Sequence, residues 1–288
     1  MPSTFIAKGA DAYEASMGRW SRKLADPFLA FAGVPSHGRV LDAGCGTGSL
    51  TLALATHPGL SAIEALDFEQ NFVTALSART DDPRISTRQG DVCALPYDDK
   101  SFDAAYSLLV LHFVSDADKA IAEMRRVLKP GATAAAAVWS HDGMPSWRLF
   151  WNTIRAVEPE AEGNGIPAGP RPMTAEGELR ALFEGAGFAD VTEARLTITM
   201  NYADFDDFYL PKVYGQGRFS AFFEALPETR RDRLRQALRV AYLDGKSEDG
   251  PRGFESVAWA VRGVVKVAAE RQEQTSHNHL PGCFNKTK

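Results

Sequence analysis

The segment that points most directly to chemistry contains three glycines at alternate positions, Gly44, Gly46 and Gly48. They follow the apolar run RVLDA (39–43), which predicts a buried strand, and precede SLTLALATH (49–57), which predicts a helix. Glycines in such a turn let the backbone curl tightly and approach a ligand that a Cβ atom would exclude. The segment is therefore predicted to be a ligand-binding turn.

Two acidic residues follow the next predicted strands. Asp67 ends the strand AIEALD (62–67), and Asp91 follows the strand ISTRQ (85–89). Ligands of an open parallel sheet bind beyond the carboxyl ends of its strands, where these acids are expected. A carboxylate at Asp67 can accept hydrogen bonds from both ribose hydroxyls of an adenosine. Asp91 can accept from an adenine amino group while Val92 packs on the ring.

The glycine spacing discriminates between cofactors. A dinucleotide fingerprint, G-x-G-x-x-G, would require glycine at position 49, where the sequence has Ser49. The turn is instead G-x-G-x-G, preceded by Asp42. A carboxylate there repels pyrophosphate but suits a cofactor that carries an ammonium and a sulfonium group.

The elements that position these residues alternate between strands and helices from Arg39 to Trp139, which predicts βαβ units and a parallel sheet with right-handed crossovers. The remaining elements predicted in this stretch are a helix at 69–79 and a strand at 102–109. A helix from Ala117 to Leu128, capped by Ser115 or Asp116, follows them. Lys129-Pro130-Gly131 then ends that helix and turns the chain into a strand at 133–140. Beyond it we predict a helix at 174–188, a strand at 191–200, a helix at 228–243 and a strand at 254–265.

Five motifs in order resemble those of class I S-adenosylmethionine-dependent methyltransferases, most closely the group that includes quinone-biosynthesis and many small-molecule methyltransferases. They are LDAGCGTGSLT, ALD, GDVCALPYDDKSFD, LLVLHFVSD and RRVLKPGA. The resemblance is strong over residues 36–140 and loose elsewhere, and Ala132 replaces the family's usual second glycine after Lys-Pro-Gly. It implies an α/β, Rossmann-like fold with a seven-stranded, mostly parallel sheet whose last strand is antiparallel, supplied by 254–265.

The resemblance also implies S-adenosylmethionine as cofactor and a set of residues that hold it. The glycines would line its methionine and ribose, Asp67 would hold the ribose, and Asp91 with Val92 the adenine. Backbone carbonyls of Ser107 and Leu108 would face the methionine amino group. The full set from the sheet is Asp42, Ala43, Gly44, Cys45, Gly46, Gly48, Asp67, Phe68, Gly90, Asp91, Val92, Ser107 and Leu108.

The N-terminal stretch 13–31 predicts a helix, and the resemblance implies that this helix covers the cofactor. We expect Tyr13 and either Arg19 or Arg22 to reach the methionine end. The alternative is that the helix only packs on the sheet, through an apolar face made of Trp20, Leu24 and Phe28.

Aromatic residues concentrate in two stretches without the βα rhythm, 141–173 and 201–252, which are predicted to be helical, aromatic insertions forming a lid over the acceptor. The aromatics of these stretches, together with Trp139 just before the first, are Trp147, Trp151, Phe205, Phe208, Tyr209, Tyr214, Phe219, Phe222 and Phe223. A lid of this kind indicates a small, largely apolar or aromatic acceptor. The alternative is a separate small core under the helix 228–243.

Two histidines near the expected ligand edge, His112 and His141, are candidate general bases for an oxygen, carbon or nitrogen nucleophile. The sequence leaves open a non-catalytic cofactor-binding protein and, less favoured, a nicotinamide-dependent oxidoreductase. A nucleic-acid methyltransferase is disfavoured, because Ser107-Leu108-Leu109-Val110 replaces the Asn- or Asp-Pro-Pro-aromatic motif of those that methylate amino groups.

Composition narrows the partners and the compartment. The net charge is −5 and basic residues are scattered, so no nucleic-acid groove is expected. No apolar run reaches the roughly 20 residues of a membrane span, and three distant cysteines predict neither a disulfide framework nor a metal site. We expect a cytoplasmic monomer or homodimer acting on a small molecule. His277, His279 and Cys283 have only loose metal-like spacing.

The predicted organisation has four parts. An N-terminal helical cover (1–35) precedes the cofactor-binding core (36–200 and 253–267). The insertions 141–173 and 201–252 cap the substrate, and 268–288 form a flexible tail.

Overall fold

Seven strands form one sheet in the computed structural model, which describes residues 9–161, 169, 171–215 and 217–267. The strands are β1 (Gly38–Ala43), β2 (Leu60–Asp67), β3 (Ile85–Gln89), β4 (Phe102–Leu108), β5 (Leu128–Trp139), β6 (Ala189–Tyr202) and β7 (Arg252–Val264). Their order is β3-β2-β1-β4-β5-β7-β6. The first five run parallel, and β7 lies antiparallel between β5 and β6. The predicted fold class, with its last strand antiparallel, is confirmed.

Ten α-helices surround this sheet within the described residues. They are α1 (Ala10–Tyr13), α2 (Arg19–Ala32), α3 (Ser49–Ala55), α4 (Gln70–Ser77), α5 (Ala117–Val127), α6 (Pro145–Val157), α7 (Glu178–Gly185), α8 (Phe205–Gly215), α9 (Gly217–Ala225) and α10 (Glu228–Leu243). A π-helical turn, Glu14–Gly18, joins α1 to α2. No helix in these described ranges is long and apolar enough to cross a bilayer.

The central strand β1 lies where the strand order reverses. Val40 and Leu41 point to opposite faces of the sheet and both are fully buried, as expected for a parallel strand covered by helices on each side. β2 lies on one side of β1 and β4 on the other. This reversal opens a crevice at the carboxyl ends of the strands, where open α/β sheets bind ligands.

The helix α2 packs on the sheet through the apolar face that the sequence indicated. Leu24 and Phe28 are fully buried and Trp20 nearly so. Phe28 meets Tyr106 of β4 edge-on, with ring centroids 6.3 Å apart. Packing on the sheet is therefore one role of this helix.

Two predicted boundaries are wrong. The segment Lys129-Pro130-Gly131 was expected to be a turn after α5, but α5 ends at Val127 and β5 begins at once, because Leu128 already pairs with Phe102 of β4. The helix predicted from Thr174 begins only at Glu178, after Gly177 takes a φ of +81° that a right-handed helix does not allow. Of the two predicted caps of α5, the side chain of Asp116 accepts from the Lys119 amide at 3.0 Å.

Most of the aromatic residues of α8 and α9 lie in the protein core, so their predicted place in the lid is wrong. Phe205, Phe208, Phe219 and Phe223 are buried, and none of the seven predicted aromatics between 205 and 223 lines the central cavity. They pack on one another and on α10, as when Phe208 meets Tyr242 at 5.1 Å. The alternative prediction, a separate small core under the helix 228–243, is right about the contact with that helix, but the cluster is continuous with the core that α2 shares with the sheet.

An ion-pair cluster fastens α6 to α10. Glu158, whose side chain is 1% exposed, accepts hydrogen bonds from Arg230 and Arg233. Burial alone would raise the pKa of this carboxyl, but the two guanidinium groups hold it below its usual range. Part of the insertion 141–173 and all of the tail 268–288, with His277, His279 and Cys283, lie outside the described residues.

Candidate active site

A cavity of about 510 Å³ lies at the carboxyl ends of β1, β2 and β4. The sheet forms its floor, the N-terminal helices cover one side, and α6 covers the other. The sequence-predicted residues that line it are Tyr13, Asp42, Gly44, Cys45, Gly46, Asp67, Phe68, Asp91, Val92, Leu108, His112 and His141. Most of the predicted site is thus gathered around one space.

The glycine turn is held tightly against β2 and leaves open room on its outer face. The amides of Gly44 and Cys45 both donate to the Leu66 carbonyl, at 2.7 and 2.9 Å. Gly46 has a φ of +52°, and the nearest atom to the place where its Cβ would lie is the Tyr13 hydroxyl, at 3.9 Å. A ligand can therefore approach the Gly46 backbone directly.

Asp67 stands at the end of β2 and supports the turn. Its Oδ2 accepts from the Gly46 amide at 2.8 Å and its Oδ1 from the Glu69 amide at 2.9 Å. Each carboxylate oxygen keeps a second acceptor position, so two hydroxyls can still be bound. Burial outweighs these hydrogen bonds and raises the pKa of Asp67.

Asp42 lies deepest, at the end of β1. Its Oδ2 accepts from the Thr51 hydroxyl at 2.6 Å, while Oδ1 has no partner among the described residues. Burial, reinforced by the charge of Asp67, raises the pKa of Asp42 to about 7. A carboxylate with an unused buried oxygen is stabilised by a nearby cation.

Apolar side chains line the cavity beside Asp67. Phe68 is 44% exposed although it is a large apolar side chain, and it lines the cavity, as does Val92. Asp91 accepts from the Cys93 amide at 2.8 Å through Oδ1. An aromatic face, an aliphatic side chain and a carboxylate suit an adenine ring with its amino group.

The other end of the cavity is aromatic. Trp139 ends β5, and Trp147 and Trp151 extend from α6, where their rings stack at 6.0 Å. His112 also lines the cavity and is 6% exposed, and burial, helped by the charge of Arg171, lowers its pKa to about 3. His141 is exposed at the wall, and its amide donates to the Thr174 carbonyl at 2.9 Å.

Comparison with known proteins agrees with this geometry. A family model described as a methyltransferase domain matches residues 41–136. The demethylmenaquinone methyltransferase of Roseiflexus castenholzii (strain DSM 13941 / HLO8) is 33% identical over 175 residues, which are 57% of this chain and 73% of that protein. The chain belongs to the class I S-adenosylmethionine-dependent methyltransferases.

Further comparisons support the family and the fold. The 2-phytyl-1,4-naphtoquinone methyltransferase of Nostoc punctiforme (strain ATCC 29133 / PCC 73102) is 34% identical over 127 residues, 42% of this chain and 55% of that protein. The crystal structure of the YcgJ protein from Bacillus subtilis superposes with a TM-score of 0.56 at 20% identity, covering 86% of this chain and 99% of that one. The resemblance of the five motifs to this family is confirmed.

The cofactor of this methyltransferase is S-adenosylmethionine, and the residues present fit it. The open face of Gly46 leaves room for the ligand, and the unpartnered oxygen of Asp42 favours a positively charged group. The roles implied by the resemblance, Asp67 for the ribose and Asp91 with Val92 for the adenine, stay predictions. When bound, the cofactor supplies a sulfonium methyl as the electrophile.

Some predicted cofactor residues do not line the cavity; they are Arg22, Ala43, Gly48, Gly90 and Ser107. The Ser107 hydroxyl donates to the Ala43 carbonyl at 2.9 Å and ties β4 to β1. Arg22 pairs with Glu14, and its alternative, Arg19, pairs with Asp207. Neither arginine is brought to the cavity, so a direct role of Arg22 in cofactor binding stays a prediction that the geometry does not support.

Sequence reasoning missed Glu14, a neighbour of the cofactor turn. Its carboxylate accepts a hydrogen bond from the hydroxyl of Thr47, which lies between the second and third glycines. The sequence pattern around residue 14 does not predict this contact. The described residues also hold no group of three or more His, Cys, Asp or Glu side chains arranged to bind a metal ion.

Proposed function

We propose that this methyltransferase transfers its methyl group to a small, largely apolar aromatic acceptor, of which a quinone-type ring is the leading candidate. The observation that carries the proposal is that one cavity joins the cofactor turn to an aromatic wall. The names of the relatives from Roseiflexus and Nostoc also describe methyltransferases of quinones.

The aromatic wall is suited to a planar ring. Trp151 meets Phe150 and Phe219 at 4.9 and 5.1 Å, so it is held rigidly while one part of it lines the cavity. Met144 lines the same region. Stacking on aromatic side chains contributes about 0.5–1.5 kcal/mol per pair and orients a flat acceptor.

Methyl transfer is an in-line displacement, so the protein's main contributions are alignment and exclusion of water. The N-terminal helices and α6 enclose the cavity from two sides. His112 is neutral at physiological pH because its pKa is about 3, and it can hydrogen-bond the acceptor but is a weak proton acceptor.

The second histidine is better placed to remove a proton. His141 lines the cavity and is also exposed to solvent. We assign it the role of general base for a hydroxyl or an acidic carbon, with His112 orienting the acceptor.

The proposal is tested with a panel of quinols, phenols and aliphatic amines, scoring the gain of one methyl group by mass spectrometry. We expect methylation of bicyclic quinols and phenols. Trp151→Leu should raise the acceptor KM about five- to tenfold without changing S-adenosylhomocysteine affinity. Phe222→Leu is the control, because this ring contacts Phe219 but does not line the cavity. Methylation of amines alone, or an unchanged KM in Trp151→Leu, would refute the assignment.

A further inference from the structure

Glu14 lies at the first position of the π-helical turn that joins α1 to α2. Its side chain is only 13% exposed and accepts hydrogen bonds from three elements of the protein. The donors are the Thr47 hydroxyl in the glycine turn, Arg79 beyond α4 at 2.8 Å, and Arg22 of α2 at 2.7 Å. One carboxylate therefore joins the N-terminal helices to the cofactor-binding loop.

Arg79 closes this arrangement into a ring. Besides Glu14, the same Nη1 atom donates to the Thr47 carbonyl at 2.9 Å. Thr47 thus contacts Glu14 through its hydroxyl and Arg79 through its backbone. The amide of the neighbouring Gly46 donates a hydrogen bond to Asp67. The ring of hydrogen bonds through Glu14, Thr47 and Arg79 therefore lies one residue away from the atoms that face the cofactor.

The local backbone is shaped to allow this contact. A Cβ atom at Gly18 would lie 2.6–3.0 Å from the carboxylate atoms of Glu14, so a larger residue there would displace the side chain. The π-turn carries an extra residue per turn, a feature often found at functional sites. From the same stretch, Tyr13, Ser16 and Met17 line the cavity.

Glu14 is ionised under physiological conditions. Burial alone would raise the pKa of its carboxyl, but hydrogen bonds from Arg79 and Thr47 and the charges of Arg79 and Arg22 hold it below its ordinary value. Its hydrogen bonds are therefore charge-assisted, the stronger class in proteins.

We propose that Glu14 is a positioning residue that latches the N-terminal helices α1 and α2 onto the cofactor turn, and so sets how tightly and how long the cofactor is held. Opening the Glu14–Thr47–Arg79 ring would free Tyr13 and Met17 from the cavity wall and open a path for the cofactor. The inference concerns the cofactor half of the site and holds whatever the acceptor is.

The test compares Glu14→Gln with Glu64→Gln. Glu64 is a matched control, because its side chain is 14% exposed and pairs with Arg39 at 2.9 Å away from the cavity. We expect Glu14→Gln to raise the Kd of S-adenosylhomocysteine about tenfold, mostly through faster dissociation, because the charge-assisted hydrogen bonds that hold the latch are weakened. Glu64→Gln should change this Kd less than twofold.

Tryptic cleavage supplies a readout without turnover. Arg22, 54% exposed, is a cleavage site within the latched helix. Glu14→Gln should be cut there faster than wild type in the absence of ligand, and S-adenosylhomocysteine should protect it less. Arg79→Met should reproduce both effects from the opposite side of the ring, and it serves as the test where Glu14→Gln does not fold. Wild-type affinity and cleavage in both variants, with thermal stability lowered only as in Glu64→Gln, would overturn the proposal.

Discussion

Thr51 donates a 2.6 Å hydrogen bond to Asp42 at a point where both side chains are fully buried. That bond uses one oxygen of the Asp42 carboxylate and leaves the other without a partner among the described residues. Since burial raises the pKa of this carboxyl to about 7, both protonation states are populated at neutral pH. A bound cation favours the ionised state.

Cofactor affinity should therefore depend on pH through Asp42. Below pH 7 the carboxyl must lose a proton before it can stabilise a cationic group, so S-adenosylhomocysteine binding should weaken by up to about tenfold per pH unit as the pH falls. Calorimetry at pH 6, 7 and 8 measures the affinity, and two buffers of different ionisation enthalpy measure the proton released. In Asp42→Asn the affinity should be lower and nearly independent of pH, and an unchanged pH profile would contradict the role of Asp42.

The same carboxyl should affect folding stability in the ligand-free protein. Its pKa is about 7 when folded and near 3.8 otherwise, so between pH 4 and pH 7 the native state binds more protons than the unfolded chain. The free energy of unfolding contributed by Asp42 therefore falls as the pH rises through this window. Thermal unfolding of Asp42→Asn should lack this fall, and an identical pH slope in the variant and wild type would refute it.

Asp67→Ala should raise the Kd of S-adenosylhomocysteine at least tenfold, because the carboxylate both supports the Gly46 amide and is placed to hold the ribose. Calorimetry measures the effect. Asp82→Ala is the matched control, since Asp82 also accepts from a backbone amide in a turn, that of Arg84, but lies outside the cavity. Equal losses of affinity in the two variants would show that the effect of Asp67→Ala is not specific to the cofactor site.

The alternation of strands and helices and the glycine turn could be predicted from the sequence because both are local signals. Gly46 needs a positive φ, and Asp67 ends a strand whose neighbours are fixed by the parallel order. The latch could not be predicted in the same way. Glu14 meets Thr47 and Arg79 across 33 and 65 residues of chain, and no spacing rule connects positions so far apart.

Burial of polar residues was equally hard to predict. The place of His112 after β4 indicates a candidate base, but the burial that lowers its pKa to about 3, helped by the charge of Arg171, arises from tertiary packing. Phe205 and Phe208 carry the same apolar signal whether they line a cavity or fill a core. Whether these two rings line the cavity or fill the core depends on where α10 packs.

Replacing each of the two histidines should have a different effect on the kinetics of methyl transfer. His141→Gln should lower kcat by about 10²-fold or more, because a general base contributes about 10²–10⁴-fold. His112→Gln should mainly raise the acceptor KM, since burial keeps His112 neutral and leaves it the role of orienting the acceptor. Initial rates over a range of acceptor concentrations test both. A loss of kcat in His112→Gln with a wild-type kcat in His141→Gln would exchange the two roles.

Lys212 of α8 is a buried amine whose effect on folding stability should be measurable. It is 2% exposed, and its Nζ donates to the Tyr202 hydroxyl at 2.8 Å and to the Phe208 carbonyl at 3.1 Å. Burial lowers its pKa well below the usual value; the nearby charge of Arg19 lowers it further, and Asp207 opposes the shift. The native state therefore binds fewer protons than the unfolded chain over the range between the two pKa values.

It follows that this lysine makes the free energy of unfolding rise with pH until lysine titrates in the unfolded chain, near pH 10.4. Lys212→Met should remove that rise and leave the protein at least as stable as wild type at pH 7, because the Tyr202 hydroxyl keeps its 3.0 Å contact with Ser146. Thermal unfolding at pH 7 and pH 9.5 tests this, with the exposed Lys246→Met as a control that keeps the wild-type slope. A wild-type slope retained in Lys212→Met would mean that the amine keeps its proton, held by the ring faces of Tyr202 and Phe208, each 4.0 Å from Nζ.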